Sequence, residues 1–585
     1  MPCFAALLAI LTTCFAVSLT SAATPSQQLR ELIFEAWEFD LNEYPQFATA
    51  VGDHRNNDSL GSVTVADEVR RAEFKQDLLE RLEAIDRSEL SASEQLNRDI
   101  LARDLRDTLS EFEFKSYLLP ISNRSGFHIE FPDLPTSMPL KTTSDYENYI
   151  ARLGDFLRYA REHIVVMRTG IREGYTLPAV ILEGFEDTPQ AQLVDDPTKS
   201  LLYAPLIEFP ATVPADQHER LRKAAAEAIA TSVVPAYREF LKFMQNEYVP
   251  ACRASVGASA LPQGRDFYRY RVRKFTTLDD ATPEAIHQRG LAEVKRIRAE
   301  MDEIIERVGF EGDFAAFVKH LRTDSRYYPQ TKEELLEKTA LILKRADGEL
   351  PKLFGRLPRM PYGIREIPAY IAPKTTSAYY MPPSGDRTRA GFYYVNTYNL
   401  PSRGLYDLEA LSLHEAVPGH HLQIALQQEL EDLPEFRKFG GSTAFIEGWA
   451  LYSERLGFEM GFYEDPYSDF GRLSMEIWRA CRLVVDTGMH YFDWSRDDAI
   501  KFMLENSAMS EHNIRAEVDR YIGWPGQALA YKTGELKIRE LRAKAEKELG
   551  TKFDVRGFHD VVLGSGAVPL GVLEQNVNHW IAEQQ

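Results

Sequence analysis

Three imidazoles and one carboxylate fall within eight residues of this chain, in Leu413-His414-Glu415-Ala416-Val417-Pro418-Gly419-His420-His421-Leu422-Gln423, a stretch that otherwise reads as helix. A His-Glu pair followed by further His is how helices build hydrolytic zinc sites: imidazoles hold the metal and the Glu activates water. In the common H-E-x-x-H arrangement the second His lies one turn on, on the same face. Here the fourth residue after His414 is Pro418, which has no ligating atom. A His seven residues on returns to the same face of a regular helix, but about 10 Å along the axis, too far to share an ion. The helix must therefore unwind locally. Pro418-Gly419 is the pair suited to this, since Pro removes a backbone donor and Gly relaxes the dihedrals.

A hydrolytic zinc site needs about three protein ligands and one open position. The motif offers His414 and one of His420 and His421; the other His is then a supporting or substrate-contacting group. The third ligand expected from the sequence is Glu447, in Thr443-Ala444-Phe445-Ile446-Glu447-Gly448-Trp449-Ala450-Leu451-Tyr452. An ionised Glu in so apolar a helix is costly unless paired or bound to metal, and Gly448 beside it admits a close backbone or substrate. Glu454, two turns on, is either a support behind the ligands or a surface salt bridge. Glu415 is the expected general base, since zinc lowers the pKa of its water to about 7 and a carboxylate then suffices to take the proton.

Further polar groups sit in apolar helical context toward the C-terminus. Arg479, Arg482, Asp486 and His490 fall near one helix face. Buried Arg–Asp pairing is one reading; the other makes Arg482 a clamp for a substrate carboxylate and His490 a catalytic group stabilising an oxyanion. Gln527 and Tyr531 recur at helical spacing after Pro525-Gly526, with Lys532 adjacent. They either edge the core or bind an anionic substrate end, with Tyr531 placed for catalysis.

The rest of the chain reads as mainly α. Apolar residues recur at three- and four-residue spacings through 93–112, 144–171, 218–248, 282–310, 332–353 and 472–491. Thr282-Pro283 has the form of a helix start, Thr as cap and Pro in the first turn. Pro and Gly punctuate these runs at 261–264, 356–363 and 381–385, and there is no internal repeat. Just before the motif, 369–372, 377–381 and 391–397 are rich in strand formers. They predict a small β-sheet beside the metal-binding helix, either as core strands or as an exposed edge for an extended substrate.

Residues 1–23 form an uncharged apolar run ending in Thr20-Ser21-Ala22-Ala23, the outline of a signal peptide cleaved near Ala22 or Ala23. Leu11-Thr12-Thr13-Cys14 fits a lipoprotein signal poorly, because Thr precedes the Cys. No later run is long enough to span a bilayer, so the expected product is exported, periplasmic or secreted, with no stable membrane insertion. Removing the leader leaves Cys252 and Cys481, which allow one disulfide but no thiolate zinc site. A net charge of −20 argues against nucleic acid as a partner. Residues 24–585 are expected to fold as a single large helical catalytic domain of one or two lobes.

At these residues the chain resembles the bacterial family known as domain of unknown function 885. The resemblance is carried by H-E-x-x-P-G-H-H and the following Leu-Gln at 414–423, by Phe445-Ile446-Glu447-Gly448-Trp449-Ala450, by Asp486-Thr487-Gly488 with His490, and by 521–532. Thr276-Thr277, Ile286-His287 and Gly290 extend it upstream. That family is similar in outline to helical zinc peptidases such as thimet-type oligopeptidases, the thermostable carboxypeptidases and angiotensin-converting enzyme. In these the second zinc His follows a Gly and the third ligand is a Glu on the next helix. The resemblance thus implies His414, His420 and Glu447 as ligands of Zn2+, with two residues inserted after His414-Glu415. It also implies a deep cleft in which Gln527, Tyr531 and Lys532 bind the peptide C-terminus, beside the His421 and Arg482 contacts read from the residues themselves. The expectation is an exported zinc metallopeptidase of carboxypeptidase or oligopeptidase type acting on short peptides. The alternatives are a zinc hydrolase of a non-peptide amide or ester, and a metal- or peptide-binding protein without turnover.

Overall fold

The computed structural model describes residues 23–585 apart from Tyr370, Asp386 and the side chain of Lys374. All but the last residue of the expected leader, with Cys3 and Cys14, lies outside the described residues. The fold is mainly α with one small sheet, and no helix among the described residues is long and apolar enough to cross a membrane.

The periodic segments form helices close to their predicted bounds. Helix α1, Pro283–Arg307, starts at Thr282, whose Oγ1 accepts the Ala285 N–H at 3.2 Å. Residues 332–353 are helical throughout as Lys332–Leu353. The segment expected at 218–248 begins at Ala215 and widens into π turns at Ile229–Val233 and Met244–Tyr248. These turns fall just ahead of Pro235 and Pro250, where a missing N–H and the ring interrupt the regular ladder.

The sheet departs from expectation at one strand. It consists of β1 (Tyr362–Glu366), β2 (Ala378–Met381) and β3 (Gly391–Val395) in the order β1-β3-β2. β1 runs parallel to β3 and β2 antiparallel to it. Residues 369–372 are not a strand: the Ile371 and Ala372 N–H groups turn back to Pro368 O, both at 3.0 Å, and Ala372 opens a 3-10 turn. Its carbonyl is taken by Asn396 Nδ2, which also donates to Thr375 O and Thr376 O. The missed strand, β1, carries Gly363, Arg365 and Glu366, unlike a core strand. An edge position tolerates those residues, and pairing with β3 supplies the order.

Helix α2 (Leu408–Glu415) ends at the motif, and α3 (His420–Glu429) restarts after four non-helical residues that include a cis Val417–Pro418 bond. The expected local unwinding is thus a complete break. Helix α4 (Thr443–Leu456) carries Glu447 and Glu454, and α5 (Pro466–Tyr491) is buried along almost its whole length. Helices α6 (Glu511–Gly523) and α7 (Ala530–Leu549) close the far side. α5 is shared by three apolar cores. Leu473, Ile477, Cys481 and Val485 join the core of the N-terminal helices, Met475 the core around the motif, and Leu483 a third with Phe267 and Tyr268.

Candidate metal centre

The break between α2 and α3 is what brings the imidazoles together. The Gly419 N–H reaches back to Leu413 O at 2.9 Å, the His421 N–H to Ala416 O at 3.0 Å, and Trp449 Nε1 holds Pro418 O at 2.8 Å. Gly419 is required here by close approach, since a Cβ would stand 1.9 Å from His414 O and 2.5 Å from Leu413 O. Folded back in this way, the rings of His414 and His420 lie 4.8 Å apart, nearly perpendicular.

Glu447 meets both. Its Oε2 lies 3.9 Å from His414 Nε2 and 3.6 Å from His420 Nε2. Helix α4 can carry it there because Gly448 lets α7 approach in the manner of two facing backbones: a Cβ on Gly448 would stand 2.5 Å from Gly534 Cα. Glu447 Oε2 is buried with no hydrogen-bond partner among the described residues, as is His420 Nδ1. The three donor atoms all lie within 4.8 Å of one another. A tetrahedral zinc with bonds of about 2.0–2.1 Å holds its ligands about 3.4 Å apart. Two imidazoles and an unpartnered carboxylate therefore fit such an ion in type, number and spacing.

The supporting groups also suit a cation. His414 Nδ1 bonds Glu454 Oε1 at 2.8 Å, and Glu454 is only 1 % exposed. With Glu454 ionised, that bond needs Nδ1–H, which leaves the Nε2 lone pair facing Glu447. Arg479 Nη2 stands 3.7 Å behind Glu454. Burial pushes the Glu415 carboxyl up to about 8, Glu447 adding to the rise, while Arg479 and the Tyr380 N–H pull the other way. Burial likewise raises Glu454 to about 8, against Arg479. It holds His414 well below the usual imidazole range, with His420, Arg479 and Arg482 acting in the same direction. Two carboxyl groups that resist ionisation, Glu415 and Glu454, beside neutral imidazoles are the surroundings a divalent cation stabilises. Because β2 is an edge strand of the sheet and Tyr380 lies in it, Glu415 sits beside an unpaired strand edge.

Several expected site residues are engaged elsewhere. His421 Nε2 donates to Met360 O at 3.1 Å, so Nδ1 accepts from the Tyr380 hydroxyl at 2.8 Å. Both nitrogens are spent fastening the sheet to the motif, which corrects the substrate-contacting expectation. His490 is fully buried, with Nδ1 taking the Ala258 N–H at 2.9 Å and Nε2 bonding Tyr521 O at 3.0 Å. It lies eleven residues beyond Arg479 on α5, about 16 Å along the axis, and serves packing rather than catalysis. Lys532 is fully buried, 2.7 Å from Glu476, 2.8 Å from Glu535 and 3.3 Å from Glu293. No donor is left for a substrate.

Arg482, Gln527 and Tyr531 stay together near the centre. The Arg482 guanidinium lies 4.3 Å from the Tyr531 ring and 4.4 Å from Trp478. Gln527 Nε2 approaches the half-buried Tyr531 hydroxyl at 3.5 Å. Tyr380 has no local sequence signal that separates it from an ordinary strand residue, and the sequence marks Arg479 and Trp449 without the roles they take here, behind Glu454 and on Pro418 O. Cys252 and Cys481 are both free thiols, so the allowed disulfide does not form.

Comparison with known proteins gives a consistent picture of kinship. The family described as "Bacterial protein of unknown function (DUF885)" matches residues 45–577. A candidate lipoprotein from Colwellia psychrerythraea, of known crystal structure, shares 30% identity at a TM-score of 0.91, covering 96% of this chain and all of that one. A candidate lipoprotein of unknown function from Shewanella oneidensis superposes at a TM-score of 0.67 with 17% identity, over 95% of this chain and 99% of that one, a likeness of fold alone. No curated protein matches the chain.

Proposed function

The chain belongs to the DUF885 family, and from that premise we propose that it is a metal-dependent hydrolase, a zinc peptidase acting on short peptides. One observation carries the reading: the Nε2 atoms of His414 and His420 converge on the same unpartnered oxygen of Glu447, with His414 steadied from behind by Glu454. His414, His420 and Glu447 would hold the ion, and a zinc bound there supplies Lewis acidity for a scissile carbonyl and for water. Glu415, next to the first ligand, takes the proton of the attacking water and returns it to the leaving amine. Tyr380 steadies it: its N–H reaches Glu415 from the strand, and its hydroxyl is tied to His421. The free edge of β2 suits an extended chain better than a compact small molecule, since it offers main-chain bonds that any peptide can make. This favours peptides over other amides and esters. The apolar run at 1–23 and the description of the Colwellia psychrerythraea relative as a candidate lipoprotein support an exported or envelope-associated location.

The test is cleavage of a mixed peptide library, read by mass spectrometry, by zinc-loaded wild type and Glu415→Gln. Products that depend on Glu415 are expected. Stoichiometric zinc in both proteins without any Glu415-dependent product would refute the peptidase reading in favour of a binding role.

A further inference from the structure

One group of charges near the centre does not balance. Arg124 Nη1, Arg482 Nη2 and Arg520 Nη2 all converge on Glu517, at 3.3, 3.2 and 3.0 Å. Glu517 sits on α6, Arg482 on α5, and Arg124 arrives from a loop that also ties its guanidinium to Ala516 O. None of the three arginines pairs with a second carboxylate within 4.0 Å among the described residues. Asp486, the other acid on this side, spends its carboxylate on the Tyr268 hydroxyl at 2.6 Å and the Gly526 N–H at 3.1 Å. Three guanidiniums thus share one carboxylate, a surplus of two positive charges.

Burial makes the surplus costly. The Arg482 side chain is 3 % exposed and Glu517 5 %, and Arg482 Nη1 is buried without a hydrogen-bond partner among the described residues. A buried cation is tolerated when something pairs with it. The two partly accessible members, Arg124 and Arg520, are 30 % and 14 % exposed, so the cluster is open on one side. It also lies next to the metal centre. Arg479, one turn before Arg482 on α5, stands 3.7 Å from the carboxylate that supports His414, while Arg482 stacks on Tyr531. Arg520 Nη1 fixes Gln527 Oε1 at 3.2 Å, leaving that amide to face Tyr531.

We infer that Arg124, Arg482 and Arg520 form an anion subsite beside the metal centre that takes the terminal carboxylate of a peptide. The inference rests on the peptidase reading and deepens it: the protein works from the C-terminal end. Guanidinium forks match a planar carboxylate, and the surplus charge rewards an anion over an amide. Lys532, the expected anchor for that end, is closed off by its three carboxylates; the arginines supply what it cannot.

The experiment uses zinc-loaded Glu415→Gln protein and isothermal titration with three probes: acetyl-tetraalanine as the free acid, its C-terminal amide, and an amidated analogue ending in Glu. The free acid is expected to bind about tenfold or more tighter than the amide. Arg520→Gln should reduce the free acid to the amide's affinity while leaving the amide unchanged. Arg124→Gln, at the most exposed of the three positions, should do the same, and covers the case in which Arg520→Gln fails to fold. Equal binding of acid and amide, discrimination that survives both substitutions, or no binding of any probe would overturn the subsite. Recovery of affinity by the amidated Glu peptide would overturn its assignment to the chain terminus. Library cleavage without acid-over-amide discrimination defeats this inference alone. Discrimination without cleavage defeats the peptidase reading alone.

Discussion

Replacing Glu454 by Gln asks whether the metal centre is held from behind. The carboxylate bonds His414 Nδ1 at 2.8 Å, lies 3.7 Å from Arg479 Nη2, and is almost wholly buried. Gln has the same shape and still accepts from Nδ1–H, so the ring keeps its place while the bond loses its charge. Hydrogen bonds to charged groups contribute about 1.5–3 kcal/mol, and neutral ones about 0.5–1.5. The difference is about 1–1.5 kcal/mol, or about tenfold in the zinc Kd. The same change strips Arg479 of the one carboxylate within 4.0 Å among the described residues. Leaving a buried guanidinium unpaired should cost about 3 kcal/mol of stability above pH about 8, where Glu454 is ionised without the metal. The two effects separate in a double-mutant cycle. Adding Arg479→Met should restore stability to the metal-free protein, read by urea unfolding, but leave zinc binding weak, read by competition with a chromophoric chelator. A zinc Kd for Glu454→Gln within a factor of two of wild type would refute the reasoning.

Two further substitutions test the scaffold. Gly419→Ala forces a methyl group against His414 O and Leu413 O; a loss of about 3 kcal/mol is expected from the overpacking, with weaker zinc binding, and an unchanged calorimetric melting temperature would contradict it. Lys532→Met removes one cation from Glu476, Glu535 and Glu293, which keep Arg296, Arg472 and Arg539 as partners, and should destabilise by about 1.5–3 kcal/mol with no change in peptide KM. A raised KM at full stability would return Lys532 to the substrate.

Local chemistry was legible in the sequence; the partners of buried charges were not. The helices at 282–310 and 332–353 follow from apolar spacing and a Thr-Pro start, signals confined to neighbouring residues. The need for a break at Pro418-Gly419 follows from helix geometry alone, and His414, His420 and Glu447 do meet in space. β1 was hidden because its order comes from β3, nearly thirty residues on, rather than from its own Gly and charged side chains. His490, Lys532 and His421 were misread for one shared reason. A polar residue in an apolar helix signals a specific partner, and sequence does not say whether that partner is a substrate, a backbone carbonyl or another helix. For Lys532 it is three carboxylates on α1, α5 and α7; for His490 it is two backbone groups.

Helix α5 carries a consequence for how the molecule can open. It walls three apolar cores, and its polar residues are bonded outward to different neighbours: Glu476 to Lys532, Arg482 to Glu517, Asp486 to Tyr268 and His490 to Tyr521. An element anchored in so many directions has no low-energy route to fray alone, and its loss would dissolve all three cores in one cooperative step. The support of the metal ligands and the arginine cluster are therefore joined through this one helix, by Arg479 and Arg482. Breathing falls to the periphery instead, where β2 is paired on one side only and fastened to the motif through Tyr380, by its hydroxyl to His421 and its N–H to Glu415.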